Sequence, residues 1–449
     1  MKKIIIVISI LCVIGIVCSL VFLYQPKQEF TNGVIVDGSV TNTQNSKVVL
    51  HFSTWQNQTD LSSIIRKTRA TSQFLFFDEK GNLDNHFSVN REILCNPIVK
   101  TNDTICFGYS DFCLKSNGKS LNFVDDATNL NLSSMTMFGP QTSGYIEAHD
   151  SAYYLLNLGS NAISGQYTTI LRFVTQDSSY DIVIPESVYY IAYDKNDDKF
   201  IYRLSDDVGV FSYGYITFDE NKLEYVLNQT KYKIDKEIIN NKYGYFSQGY
   251  GILFEENYAY ELMICEINDT IMQECHLTLE DIEKNKKAGI LMLCKYDLLK
   301  QTVSCEYLSK SVIYGDSSYG FVLSGTQSMP LTIDENKLYL FTRNNKMYVY
   351  DTKNGIKVYD FIFDFSDTIS SSNPFDKSSI AGPTLGDGSP IIIDNGNIYT
   401  GHIYKSGAIK IHKYNFEKEI FELFWESSNS VVSELDKNSL EFISFEIIK

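Results

Sequence analysis

The stretch Lys337 to Phe361, KLYLFTRNNKMYVYDTKNGIKVYDF, sets three apolar and aromatic runs between polar clusters rich in Asn, Asp and Gly. Runs of that length with those boundaries predict strand, turn, strand, turn, strand. A second copy follows. Placing PLTIDENKLYLF (330–341) over PIIIDNGNIYTG (390–401) sets Pro330 on Pro390, Asp334 on Asp394 and Leu338-Tyr339 on Ile398-Tyr399, at an offset of 60 without a gap. Both copies continue into a hairpin, centred on Val349-Tyr350-Asp351 in the first and on Lys413-Tyr414-Asn415, four places further along, in the second. The same aromatic-acid step recurs at Phe77-Asp78, Phe218-Asp219 and Tyr296-Asp297, and less regular hairpins surround Asn117-Gly118 and Gln176-Asp177. Seven such hairpins leave about 60 residues for each unit, a four-stranded blade with long loops. The pattern predicts an all-β chain, a β-propeller of about seven blades. Composition agrees, with 31 Tyr and 28 Phe against 8 Pro, because aromatic side chains pack well on pleated surfaces.

The core YDTKNGIKVY, with Asp351, Gly355 and Tyr359 at four-residue steps, resembles the strand-turn-strand signature of PQQ-like and YVTN-type β-propeller repeats. The resemblance implies that Asp351 caps a tight turn, Gly355 supplies positive φ and Tyr359 packs between sheets. In the PQQ-like family that last aromatic is a docking Trp; here it is Tyr, and the chain has only Trp55 and Trp425. The likeness therefore implies architecture and no bound quinone.

Ahead of the repeats, Ile4 to Tyr24 runs 21 residues without a charge after Met1-Lys2-Lys3. About 20 apolar residues in a helix span a bilayer core, so 1–24 is expected to be a signal-anchor helix, with 25–33 a stalk and 34–449 the extracytoplasmic propeller. A cleaved signal peptide, with Val17-Cys18-Ser19 as its site, is the alternative. Lys2 and Lys3 place the N-terminus in the cytoplasm by the positive-inside bias. The whole chain carries −16, and without the two lysines of 1–24 the remainder carries −18. Such a field argues against nucleic acid as a partner. It leaves the membrane, through residues 4–24, and a protein or glycan on a propeller face.

Seven cysteines follow the apolar segment. In LMLCKYDLLKQTVSCEY, a four-residue loop 298–301 pairs Asp297 with Thr302 and sets Cys294 opposite Cys305, within reach of a disulfide. Cys265 and Cys275 flank a turn near Asn268-Asp269 and form a second candidate pair, and Cys106 has Cys95 or Cys113. No CxxC occurs, so zinc is not expected. Sequons begin at Asn57, Asn102, Asn131, Asn228 and Asn268, about as many as chance provides in a chain rich in Asn, Ser and Thr.

Catalytic motifs are sparse: the sequence has no HExxH, GxSxG or Walker loop. Glu147-Ala-His149-Asp150 is a tight acid-histidine cluster, and strand alternation would set Glu147 and His149 on one face. Asp194-Lys-Asn196-Asp-Asp198 has the alternating oxygens of a calcium loop but Lys199 in place of glycine, and reads as a hairpin turn. A short charged helix is expected over Thr278 to Lys287, ended by Gly289. The segment Ser370 to Pro390, with three prolines and three glycines, reads as a long surface loop. No catalytic, cofactor or metal residue is assigned. The expected function is a binding or scaffolding module, with an exported glycan hydrolase or lyase, its carboxylates in the central channel, as the alternative.

Overall fold

Strand ends that carry a capping side chain set the local frame. Asp351 accepts from the backbone N–H of Lys353 at 2.7 Å and of Asn354 at 3.1 Å, and Asp78 from Lys80 at 2.9 Å and Asn82 at 2.8 Å. Asp219, Asp297 and Asn415 cap their turns in the same way. In the irregular hairpin around Gln176-Asp177, Thr175 Oγ1 takes the role by accepting from Ser178 N–H. Each of these turns joins the third strand of a sheet to its fourth. The aromatic-acid step of the sequence therefore marks one recurrent position.

The computed structural model describes most residues from 35 to 448; segments 1–34, 55–70, 123–141, 236–245, 316–330, 369–390 and 429–439, with shorter stretches beside them, lie outside it. The described strands form seven antiparallel sheets, each a propeller blade. Counted outward from the axis, blade 2 runs Ile98–Lys100, Ile105–Gly108, Phe112–Lys115 and Ser120–Asn122. Blade 3 runs Thr142–Ile146, Ser151–Ser160, Tyr167–Val174 and Ser179–Ile184, and blade 4 Val188–Asp194, Lys199–Leu204, Val210–Asp219 and Glu224–Asp235. In blade 5 the inner place is shared by Phe246–Ser247 and Leu253–Glu255; Tyr258–Glu266 and Lys287–Asp297 follow, with Thr302–Tyr307 and Ile313–Gly315 outermost. Blade 6 runs Leu331–Asp334, Lys337–Thr342, Lys346–Asp351 and Gly355–Asp360, and blade 7 Ile391–Asp394, Asn397–Ile403, Ile409–Asn415 and Ile420–Glu426.

Blade 1 is composite. Its innermost strand is Leu440–Ile447, paired with Ser46–Thr54, and Ser72–Asp78, Leu83–Val89 and Ile35–Ser39 follow outward. The two ends of the described chain are thus joined by a ladder that sets Leu50 opposite Phe445. Seven apolar cores fill the seven seams, one between each pair of consecutive blades. Phe76 meets Phe107 across blades 1 and 2, Phe173 meets Phe200 across 3 and 4, and Ile411 meets Phe445 where blade 7 returns to blade 1. Sheets covered on both faces need continuous apolar strands. Lys346–Asp351 is buried through its four central residues, whereas the outer strand Thr302–Tyr307 alternates exposed and half-buried positions.

The resemblance holds at its named residues. Gly355 has φ of +73°, and the Tyr359 ring meets Phe416 of blade 7 edge-on at 5.1 Å. Trp425, to which the sequence assigned no place, docks at the last seam: its Nε1 donates to the Asp78 carbonyl at 3.0 Å and its ring stands edge-on to Phe77.

Three expectations are corrected. The helix lies at Asp269–Cys275, not over 278–287; Asn268 Oδ1 accepts from Ile271 N–H at 2.9 Å, and His276 at φ +56° ends it. The Asn-initiated cap outcompetes the weaker Thr278 signal; a 3-10 turn, Leu279–Asp281, follows, 283–286 lie outside the described residues, and Lys287 is already in a strand. That helix also removes the hairpin that was to oppose Cys265 to Cys275. Glu147–His149 is a 3-10 turn between two strands, closed by Asp150 at φ +43°, so it has no strand alternation. Among the described residues no helix is long and apolar enough to cross a membrane; the expected anchor 4–24, the stalk 25–33 and the loop 370–390 lie outside the described residues.

One seam is polar. Between blades 4 and 5, Arg203 Nη1 donates to both carboxylate oxygens of Glu261 at 2.8 Å, and the hydroxyls of Tyr213 and Tyr296 donate to the same carboxylate at 3.2 and 3.3 Å. All four side chains are buried. A buried pair of this kind is expensive to break from one side and cheap to replace as a whole. Glu261→Leu alone is expected to lower stability by about 3–5 kcal/mol in urea titration, with most of it recovered by adding Arg203→Met; a double variant as unstable as the single would contradict this. A second contrast concerns two turn glycines. A Cβ at Gly81 would lie 2.2 Å from the Glu426 carbonyl oxygen, whereas at Gly355 it meets nothing within 4 Å. Gly355→Ala should therefore cost about 1 kcal/mol from its positive φ alone, and Gly81→Ala clearly more, read as urea midpoints.

Candidate functional site

All blades run their inner strands in the same direction, so the ends of those strands and the turns from third to fourth strand gather on one face. Capping chemistry makes that face acidic. The inner strands of blades 4, 5, 6 and 7 end on Asp194, Glu255, Asp334 and Asp394, and Glu446 stands one residue before the end of the closing strand. Lys100 ends the inner strand of blade 2. The repeat alignment that superposed Asp334 on Asp394 had already matched two members of this ring.

Burial shapes the protons these acids hold. Glu446 is half-buried, and desolvation lifts its pKa from 4.5 to about 8; Asp394 adds to the rise, while the Ile447 N–H at 3.2 Å and Lys100 oppose it. At neutral pH it is a carboxylic acid beside other acids. Asp194, 4% exposed, is likewise raised by burial first, with the Asn196 N–H at 3.0 Å opposing. Tyr399 is raised by burial, then by Asp394 and Glu446. The closing strand that carries Glu446 lies against the inner strands of blades 2 and 7, which end on Lys100 and Asp394.

The two motifs read separately in the sequence meet at the seam of blades 3 and 4. His149 Nε2 lies 2.6 Å from Asp198 Oδ2, and the hydroxyls of Tyr193, at 2.7 Å, and Tyr225 donate to Oδ1. The His149 ring stacks on Phe218 with centroids 3.9 Å apart. Burial pushes the Asp198 pKa up, but the bonds from Tyr225, His149 and Tyr193 outweigh it and hold the carboxyl below its ordinary value. Tyr225 and Tyr193 are pushed up, by burial first and then by Asp198. Tyr145 donates to Asp150 at 2.8 Å, and Lys195 reaches Glu147 at 3.0 Å. Asp194 to Lys199 is the hairpin turn expected of it.

Exposed apolar side chains break the polar turn face: Leu83 and Ile420 follow the last turns of blades 1 and 7, and two leucines stand out further. Leu223 and Leu299, at the tips of the last turns of blades 4 and 5, are 74% and 61% exposed. Sequence reasoning missed them, since each reads as one more apolar residue beside a strand. Of the other residues singled out, Asn102 and Asn228 are exposed, Asn268 is the helix cap, and Asn57 and Asn131 lie outside the described residues. Cys294 faces Cys305 in the expected strand register, whereas Cys106 lies opposite Lys115 and Cys113 opposite Gly108; Cys95 lies outside the described residues. Among the described residues no three His, Cys, Asp or Glu side chains gather to hold a metal ion.

No family model and no curated protein matches the chain by sequence. Among solved structures it is similar to a cobalt-substituted apocarotenoid oxygenase from Synechocystis, at 9% identity and TM-score 0.42 over 92% of this chain and 95% of that one. A protein from Lactobacillus plantarum is similar at 10% identity and TM-score 0.38, over 90% of this chain and all of its own. Nothing about activity transfers at these values.

The Glu446 proton has a measurable consequence. Between pH 4.5 and about 8 the folded chain keeps a proton that the unfolded chain releases, so this group's contribution to stability is complete below 4.5 and is lost as pH rises through 8. Glu446→Gln is therefore expected to gain stability over the parent progressively from pH 5 to 8.5, read as urea midpoints; a constant difference would contradict the raised pKa.

Proposed function

We propose that this chain is a membrane-anchored, extracytoplasmic β-propeller that works as a binding module, and that its partner is a basic polypeptide segment docking on the acidic turn face. The observation that carries the reading is Leu223 and Leu299 standing exposed among turn carboxylates. Lys222 and Lys300 pair with Asp219 and Asp297 beside these leucines, so the leucines supply the apolar contact area and the remaining acids of the face supply an attractive field for a basic segment. A rigid ring suits this work, because loops held on a fixed scaffold bind without ordering themselves first. The uncharged segment 4–24 supports the anchor, and the two lysines before it support an outward-facing propeller.

The test uses the full chain in detergent with a lysine-rich peptide containing leucine, against a glutamate-rich peptide of equal length. Saturable binding of the first alone is expected, weakening as salt rises, and Leu223→Ser with Leu299→Ser should lower affinity by about tenfold. Equal binding of both peptides, or of neither, would overturn the reading.

A second reading rests on Glu446, protonated near neutral pH beside Asp394. A carboxyl raised toward neutral pH with a second acidic side chain nearby is the arrangement that glycan hydrolysis uses. Turnover of a polysaccharide, lost in Glu446→Gln while binding persists, would favour that enzyme over the binding module.

A further inference from the structure

The fourth-strand hairpin of blade 5 holds a feature that the binding reading does not use. Its four-residue turn is fixed at three points: Asp297 accepts from the Lys300 N–H at 3.0 Å, Gln301 adopts φ of +54°, and Asp297 pairs with Thr302. This register leaves Cys294 and Cys305 directly opposed, with their sulfurs 2.6 Å apart. The two differ in access. Cys294 is fully buried beneath the sheet, while Cys305 is half-buried on the outermost strand, between exposed Ser304 and Glu306. Cys265 and Cys275 pack in the same apolar core, below the pair.

We propose that Cys294 and Cys305 are a redox pair that closes to a disulfide by exchange with a small-molecule disulfide, Cys305 reacting first and Cys294 second. In the first step the Cys305 thiolate attacks one sulfur of the small disulfide, forming a mixed disulfide and releasing one small thiolate. In the second the Cys294 thiolate attacks Cys305 Sγ, the protein disulfide forms, and the second small thiolate leaves. Two protein thiols are oxidised and one small disulfide is reduced to two thiols. Two protons pass from the protein thiols to the departing thiolates. The order follows from access, since an incoming disulfide must reach the attacking sulfur. Burial, followed by the neighbouring Cys305 and Glu261, pushes the Cys294 thiol well above its ordinary pKa, which makes the second step the slow one. Closure would pin the outermost strand of blade 5 to its neighbour and protect an otherwise open sheet edge.

The experiment reduces the folded full chain, removes the reductant, adds oxidised glutathione and maps the cysteines by peptide mass spectrometry. The parent chain is expected to yield one cross-linked peptide pair joining Cys294 to Cys305, lighter by two hydrogens. Cys294→Ser should accumulate a stable glutathione adduct on Cys305, and Cys305→Ser should leave Cys294 unmodified. Circular dichroism of both variants checks folding, and the parent map stands without them. A cross-link from Cys305 to Cys265 or Cys275, an adduct on Cys294 ahead of Cys305, or both thiols still open to alkylation after oxidation would overturn the proposal.

Discussion

Closure of the ring is the constraint on which the other features rest. Leu440–Ile447 completes blade 1 by pairing with Ser46–Thr54, so a sheet begun near one end of the chain is finished near the other. Without that strand, Val48, Leu50 and Phe52 would lose Phe442, Phe445 and Ile447 from their shared core. Each large apolar side chain returned to water forfeits about 1.5–3 kcal/mol. Because every blade rests on two neighbours, a gap at one seam exposes apolar faces on both sides of it. Trp425 of blade 7 and the Gly81 turn of blade 1 add to the same seam, with the Ser428 N–H donating to the Gly81 carbonyl at 2.9 Å.

The chemistry that ends strands also determines surface charge. A turn between the third and fourth strand needs an acceptor for two or three backbone N–H groups, and Asp supplies it at Asp78, Asp219, Asp297 and Asp351. Repetition around a ring then collects carboxylates on one face, a consequence of folding that becomes available for recognition. At Asp78, bonds from Asn82 hold the carboxyl below its ordinary value, so the caps stay ionised and negative. Glu446, shielded from water near Asp394, behaves in the opposite way.

Seams differ in what they demand of their side chains. Most are filled by Phe, Leu and Ile, which tolerate exchange of shape so long as volume is kept. The seam of blades 4 and 5 adds to its apolar core one buried carboxylate satisfied by Arg203 and two tyrosine hydroxyls, which fixes relative position because hydrogen bonds are directional. The seam of blades 3 and 4 does the same nearer the surface with His149, Asp198, Tyr193 and Tyr225. Blades 3, 4 and 5 are thereby held in register beneath the two exposed leucines.

Local turn chemistry was legible in the sequence, and it carried the architecture: Tyr350-Asp351, Tyr296-Asp297 and three counterparts mark the same turn, and with the hairpin at Gln176-Asp177 and the one around Asn117-Gly118, whose turn lies outside the described residues, the count reaches the seven sheets. The facing of Cys294 and Cys305 was legible too, because a four-residue hairpin loop sets its own register. The helix at Asp269–Cys275 was misplaced since a cap and a few charges weigh similarly in two adjacent segments. What the sequence by itself determined was therefore the strand-turn-strand hairpins, where turn geometry and strand alternation leave few alternatives. Only the tertiary structure decided the rest: that His149 meets Asp198, that Arg203 meets Glu261, and that Glu446 loses water near Asp394. Those groups come from different strands or different blades, and no local rule ranks one distant partner above another until ring closure brings them together.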